Sequence, residues 1–347
     1  MKTTIHPRVS IVTPVYNGAE FLAQCIDSVI AQTYPNWDYT ILNNCSTDRT
    51  LEIAEEYAAR EPRIRVVNNV TFLRAIQNHN AALRLISSES KYCKVLFGDD
   101  WLYAECLEKM VALAEQNPSV GIVSSYRLRG STVNSDGPPY GKSVVSGREI
   151  CRSVLLEGIY PFGTSTSLLI RSDLVRSHDP FFNESNIHAD SEACYELLKE
   201  SDFGFVHQVL TFTRMREGSL SLLSWKRGTL FAGNLNDLVK FGPCYLGPEE
   251  FKSVLQERLA TYYRFLGRGV FERRGSDFLD FHAQKLAELG LPLSRFRVWI
   301  QAARHSLDRA LALNWWPYVL SKRLLQKLES RNHAPSADGA RNRHLAD

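Results

Sequence analysis

From Val9 to Phe97, short apolar runs alternate with segments of helical periodicity, and the joints between them are only a few residues long. The runs are Val9–Val12, "WDYTILNN", "IRVVNN" and "CKVLF". Between them stand "AEFLAQCIDSVIAQTYP", with Phe21, Leu22, Cys25, Ile26, Val29 and Ile30 on one helical face, then "STDRTLEIAEEYAAREP", with Ser46 or Thr47 placed to cap it, and "FLRAIQNHNAALRLISS". Parallel strands need a long crossover, usually a helix, so this alternation predicts a parallel sheet covered by helices on both faces. Loops that follow such strands open at one edge of the sheet, where doubly wound folds bind ligands. Tyr16-Asn17, Asn43-Asn44 and Asp99-Asp100 each stand just after a strand, so that edge is expected to be polar. No Gly-x-Gly-x-x-Gly follows the first strand, which argues against a dinucleotide site.

After Asp100 the alternation weakens. "LYAECLEKMVALAEQNP" reads as a helix, "SVGIVSSYRLRG" as a strand and "STVNSDGPPYGKS" as a loop. "STSLLIRSDLV" gives a strand running into a helix, "NIHADSEACYELLKESD" a further helix, and "FGFVHQVLTFTRMREGSLS" an extended segment. From about Leu222 the chain is mainly helical, and its end, "NHAPSADGARNRHLAD", is too poor in large apolar groups to order itself. Apolar residues make up 44% and charged residues 23%, the balance of a soluble globular protein. The net charge of +3 is too small to argue for nucleic acid. The seven cysteines are scattered without a Cys-x-x-Cys pair, which makes neither a zinc site nor a disulfide framework and suits a reducing compartment. The N-terminus lacks the pattern of a signal peptide, and no window reaches about 18 uninterrupted apolar residues, so a cytoplasmic protein is expected.

"KVLFGDDW" poses the sharpest chemical question, because two like charges stand together where a strand leaves the core. Taken alone, Gly98-Asp99-Asp100 reads either as a solvated turn or as oxygen ligands for a hard cation. The wider pattern weighs toward the second reading. "SIVTPVYNGAEFLAQCIDSVIAQTYPNWDYTILNNCSTDRTLEIAEEYA", followed by "GDDWLYAECLEKMV", resembles the family-2 glycosyltransferases, which are inverting enzymes with a GT-A fold. The resemblance runs from about Val9 to Ser221. It implies a Rossmann-like, mainly parallel α/β sheet flanked by helices over residues 1–222, with a nucleotide-sugar half at 8–100 and an acceptor half at 101–222. A helical region at 223–330 and a disordered tail at 331–347 would follow.

The same resemblance assigns residues. In "TPVYNG", Pro14, Tyr16 and Asn17 match the loop around the base and ribose of the donor. Asn43 and Asn44 stand where the family usually has two acids, one of which helps hold the base; an amide both donates and accepts, where a carboxylate only accepts. Asp99 and Asp100 match two acids of the family's metal-binding motif, with Phe97 in place of the first, and Asp99 is the preferred direct ligand of Mg²⁺ or Mn²⁺. Asp190 matches the catalytic base, with Ala189 replacing the usual preceding acid. In "TRMREGSLS", Arg214, Ser219 and Ser221 are kept while Arg216 replaces a histidine. An arginine cannot ligate a metal, but it can neutralise a diphosphate as a fixed cation. Trp101 and His188 are candidate acceptor contacts, the first because aromatic faces stack on sugars.

On this reading the metal bridges the donor's phosphates, and Asp190 takes the acceptor hydroxyl's proton as its oxygen attacks the anomeric carbon. Two other readings stay open: a catalytically inactive sugar-nucleotide or glycan-binding module, kept alive by the missing acids, and a nucleotidyltransferase, which would want a basic loop that "TPVYNG" lacks. Between Arg295 and Arg331 eight basic residues face two acids, and "LNWWPYVLSKRLLQKL" mixes them with interfacial aromatics. That composition fits either a packed helix with a solvated basic face or peripheral contact with the inner face of an anionic membrane, near lipid-linked glycan acceptors.

Overall fold

The structure, a computed structural model, describes residues 6–186, 188–216, 224, 227–309 and 311. Ser219 and Ser221, the aromatic segment 313–328 and the tail at 331–347 therefore lie outside the described residues. The chain divides into two compact units, the first running to Glu257 and the second beginning at Arg258. The first unit thus extends past residue 222 and includes the helix Thr229–Tyr245.

The first unit is built on one sheet. Strands β1 (Val9–Val15), β2 (Trp37–Asn43), β3 (Ile64–Asn68) and β4 (Tyr92–Val95) lie in the order β3-β2-β1-β4, all parallel. Every residue of β1 and β4 is buried, as expected of strands covered on both faces. The helices between them are α1 (Leu22–Ile30), α2 (Thr50–Ala58) and α3 (Ala75–Leu83). α1 turns Leu22, Cys25, Ile26 and Val29 into one core cluster, while Ala82 and Leu83 of α3 enter another. The expected cap of α2 is displaced. Arg49 is the capping position, and the side chain that meets a free helix N–H is Asp48, whose Oδ1 accepts from Thr50 N at 3.0 Å.

Beyond β4 come the two-residue β5 (Trp101–Leu102), α4 (Cys106–Gln116), β6 (Val120–Arg129), which forms a hairpin with β7 (Thr132–Asn134), and β8 (Val144–Val145). α5 (Gly147–Glu157), which sequence reading passed over, precedes a 3₁₀ turn at Ser165–Ser167, β9 (Leu169–Arg171), α6 (Ser172–Arg176), α7 (Ala189–Leu197) and β10 (Asp202–Thr213). The sheet continues β4-β9-β6-β10-β5. β9 runs antiparallel between β4 and β6, so the sheet is mixed rather than wholly parallel. α8 (Thr229–Tyr245) packs on α5 and α7, where Phe241 stacks on Tyr195 at 5.1 Å.

Register decides what meets at the edge. Val15 pairs with Asn43, and Asn43 with Asn68, so the first three strands end level. Trp101 pairs with Phe212 near the end of β10. That pairing brings the exit from β10, and with it Arg214 and Arg216, onto the Asp99-Asp100 turn.

The second unit's described residues are helical, with Ser276–Glu288 and 295–309 as separate helices. Among the described residues, no helix is long and apolar enough to cross a membrane.

Candidate functional site

The Gly98-Asp99-Asp100 turn sits hard against the end of β1, where a Cβ on Gly98 would stand 3.0 Å from Val15 Cγ2. The two acids of this turn have opposite fates. Asp100 points inward and is 3% exposed. Its Oδ2 accepts from Thr166 Oγ1 at 2.7 Å and its Oδ1 from Arg214 N at 3.0 Å. Burial, with Asp99 beside it, pushes its carboxyl up to about 7, against the pull of those two donors. Asp99 stays at the mouth with its side chain 24% exposed, and its Oδ2 accepts from Arg216 Nε at 2.8 Å.

The two arginines differ as well. Arg214 is built into the wall: Nε donates to Asp99 O at 3.1 Å, Nη2 to Gln24 Oε1 at 2.6 Å, and the guanidinium lies 4.1 Å from the Phe21 ring centroid. The structure thus makes it a strap rather than a free donor contact. Arg216 is 47% exposed along its side chain, and Asp99 is its one hydrogen-bond partner among the described residues. Of the two, it is the more exposed and the less tied down.

A divalent ion on a nucleotide diphosphate is held by one or two carboxylates, with phosphate oxygens and water completing its shell, and neither acid of this turn is free to face it. Asp100 is turned inward with one protein donor on each oxygen, and Asp99 carries a guanidinium. Phe97, in the position of the family's first acid, places its ring 5.1 Å from His79, a neutral imidazole that burial lowers to about 4. Among the described residues no three His, Cys, Asp or Glu side chains converge on one point. The two acids expected as metal ligands therefore part: Asp99 faces the mouth under Arg216, and Asp100 faces the interior.

Tyr16 is 47% exposed and meets Phe72 edge-on at 4.9 Å, an aromatic pair at the mouth that sequence reading gave only half of. Asn17 adopts φ 48°, and its Oδ1 accepts from Thr47 N at 2.8 Å, tying the β1 loop to the β2 loop. Pro14 does not reach the mouth, because it is a buried residue within β1. Asn43 and Asn44 are 3% and 2% exposed and serve the loops instead of a base. Asn43 Nδ2 donates to Asn68 Oδ1 at 2.9 Å. Asn44 Nδ2 donates to Leu73 O at 2.8 Å, while its Oδ1 accepts from Leu73 N at 2.9 Å and from Asn69 Nδ2 at 2.8 Å. A carboxylate at Asn44 could not donate the first of these bonds.

On the acceptor side, Asp190 lies in the first turn of α7, and its Oδ1 accepts from Ser191 N at 2.9 Å. Its carboxyl is recessed, partly open to solvent yet enclosed by protein. Burial raises its pKa, while His188 and Arg127 oppose that rise. His188 is half-buried, and burial lowers its pKa. Its Nε2 lies 3.1 Å from Thr229 Oγ1, and its ring packs so closely on Gly233 that a Cβ there would stand 2.5 Å from Cδ2. It docks α7 on α8 and is not placed as an acceptor contact. Trp101 stacks on Phe212 with ring centroids 3.5 Å apart and planes 8° from parallel, so one of its faces is closed to a sugar.

Arg127 on β6 escaped sequence reading. It is 4% exposed, its Nε and Nη2 donate to Asn134 Oδ1 at 3.1 and 2.8 Å, and its Nη1 is buried without a hydrogen-bond partner. It exerts its charge on both Asp100 and Asp190. The signal was present in "SYRLRG", an arginine on an otherwise buried strand.

The family profile described as Glycosyl transferase family 2 matches residues 10–177. EpsE of Bacillus subtilis, named as a glycosyltransferase, is 30% identical over 158 residues, which are 43% of this chain and 56% of EpsE. The match therefore spans little more than half of that relative. Among solved structures, TarS 1–349 of S. aureus in complex with UDP-GlcNAc is 15% identical over 82% of each chain, with a TM-score of 0.63. The mannosyltransferase PcManGT of Pyrobaculum calidifontis, in complex with GDP-Man and Mn²⁺, is 18% identical over 89% of this chain and 81% of its own, with a TM-score of 0.55. At these identities the likeness is one of fold.

Proposed function

From the premise that this chain belongs to the family 2 glycosyltransferases, we propose that it transfers a sugar from a nucleotide-sugar, in the first instance a UDP-sugar, to a glycan or lipid-linked glycan of bacterial surface polysaccharide synthesis. The observation that carries the reading is the composition of one sheet edge. The exposed Tyr16 and Phe72, the Asp99–Arg216 pair and the recessed Asp190 all stand at ends of strands or helices of the same unit. Relatives in fold have been seen with UDP-GlcNAc and with GDP-Man, donors of the same chemical class.

In this reading Tyr16 and Phe72 receive the base, and Arg216 faces the diphosphate. Asp190 holds the acceptor hydroxyl and takes its proton as the oxygen bonds to the anomeric carbon. The bond from that carbon to the phosphate oxygen breaks on the opposite face, and its electron pair leaves with the nucleoside diphosphate. A single displacement inverts the centre. A carboxyl raised above its ordinary range is a stronger base near neutral pH, which favours this role for Asp190. We also propose that the second unit touches anionic lipid, bringing the first to lipid-linked acceptors at the cytoplasmic face of the membrane.

The test is release of free nucleotide from UDP-, GDP- and dTDP-sugars with a lipid-glycan extract as acceptor. Acceptor-dependent release from one donor, lost in Asp190→Asn, is the expected result. Binding of donors without release under any acceptor would replace the transferase with a sugar-nucleotide-binding module.

A further inference from the structure

We propose that the donor's diphosphate is held by the Arg216 guanidinium in place of a divalent metal, so that nucleotide binding and transfer proceed without one; the transfer half of this inference rests on the glycosyltransferase reading above. Three features of the mouth carry it. Asp99, the one acid of its pair left facing outward, already holds Arg216 Nε at 2.8 Å. Asp100 has each carboxylate oxygen engaged by a protein donor and is 3% exposed, so it is turned inward, away from a diphosphate at the mouth. Phe97 puts a ring in the position of the family's first acid, and no group of three metal-ligating side chains is found among the described residues.

A dication entering at Asp99 would have to displace a cation from the same carboxylate, or sit beside it. Arg216 has what the replacement role needs. Its neighbour two residues earlier, Arg214, is fixed by its backbone N–H to Asp100, by Nε to Asp99 O and by Nη2 to Gln24. That anchorage, together with the Asp99 bond, sets the guanidinium at the mouth while nearly half of the side chain remains exposed, at 47%. A guanidinium is a planar donor fork that matches two phosphate oxygens at once, and its charge needs no deprotonated ligand set to hold it. When the anomeric C–O bond breaks, the electron pair stays on the diphosphate oxygen and the acceptor's proton goes to Asp190. The added negative charge then falls on oxygens facing Arg216. No electron is gained or lost in this displacement, and no co-reactant is required.

The experiment is calorimetric titration of the full chain with UDP, GDP and dTDP, once in EDTA and once with Mn²⁺, alongside nucleotide release from the matching sugars under both conditions. Arg216→Gln, Arg216→Lys and Arg216→His variants run in parallel, each checked for an unchanged thermal melt. Affinity in EDTA within about twofold of that in Mn²⁺ is expected, with a loss of about 10- to 100-fold in Arg216→Gln and a smaller loss in Arg216→Lys. Arg216→His supplies an imidazole beside a freed Asp99 and is expected to acquire a requirement for Mn²⁺. Wild-type binding or release that EDTA abolishes and Mn²⁺ restores overturns the inference while leaving the transferase reading intact. Arg216→Gln binding as tightly as wild type overturns it too, as does failure of all three nucleotides to bind under either condition. EDTA-resistant, Arg216-dependent binding without turnover of any donor would uphold the diphosphate site and sink the transferase.

Discussion

Asp190 joins two properties that pull against each other: the first turn of a helix favours a carboxylate, whereas enclosure by protein favours the neutral acid. Enclosure wins, so the group ionises above the ordinary carboxylate range, and a base must be ionised to work. The acid limb of the pH profile of kcat/KM is therefore expected above the ordinary aspartate value of 3.8, with activity falling as pH drops through it. Asp190→Asn is expected to lower kcat by about 10²- to 10⁴-fold without a comparable change in donor affinity. Steady-state kinetics beside donor titration separates the two, and a variant that loses binding and turnover in equal measure would mark Asp190 as structural. Asn44 makes the opposite case. Its position in a motif reads as ligand-binding, yet its amide closes both backbone groups of Leu73 and meets Asn69. Asn44→Asp sets a carboxylate against the Leu73 carbonyl and is expected to destabilise the protein by about 1–3 kcal/mol in urea unfolding. The residue types of this motif were visible in the sequence. What an asparagine bonds to depends on which loop folds over it, and residues 69–73 are brought there by β3 and α3, not by local sequence.

At the scale of elements, strands and helices up to β4 were legible because each is short, apolar and bounded by turn residues. The antiparallel β9 was not, since three residues, Leu169–Arg171, carry no periodicity that fixes their direction. The reach of the first unit past residue 222 was equally hidden, because α8 has buried residues all round its length and reads like any core helix. α8 also holds Asp237, which is 4% exposed, bonded to Asn236 and facing Glu192, Asp190 and Lys240. Burial raises its carboxyl to about 8 from an ordinary 3.8. The native protein thus keeps a proton there that the unfolded chain releases, so its contribution to stability is full below the unfolded pKa and is lost as pH rises toward 8. Each pH unit in that window corresponds to ~1.4 kcal/mol at most. Asp237→Asn removes the titration and is expected to flatten the fall in melting temperature between pH 5 and about pH 8, with its largest gain at the alkaline end. A parallel shift of the whole curve would place the titration elsewhere.

At the scale of the whole molecule, the two units present different surfaces. The first unit gathers its polar groups at one sheet edge, closed by the pairing of β5 with β10. The second carries an apolar stripe on its helix at 295–309: Phe296, Trp299 and Leu307 are 76%, 64% and 60% exposed, and Leu311 just beyond is 57% exposed. Spaced by three, eight and four residues, these side chains fall on one side of a helix, between Arg295 and Arg309 on one flank and Arg297 and Arg304 on the other. The proposed contact with anionic lipid accounts for this arrangement: in it the rings would enter the acyl region while the guanidinium groups reach back to the phosphates. Sequence reading placed the basic excess between Arg295 and Arg331 and the interfacial aromatics at 313–328, which lie outside the described residues; the stripe stands before those aromatics. The full chain is expected to float with vesicles containing phosphatidylglycerol, to bind neutral phosphatidylcholine vesicles far less, and to be released as salt rises, because the electrostatic part is screened. Phe296→Ser combined with Trp299→Ser removes two of the largest apolar groups and is expected to weaken flotation by at least about tenfold while leaving nucleotide binding in the first unit unchanged. Equal recovery in the soluble fraction with and without anionic lipid would remove the membrane from the reading and leave the stripe as a surface for another protein.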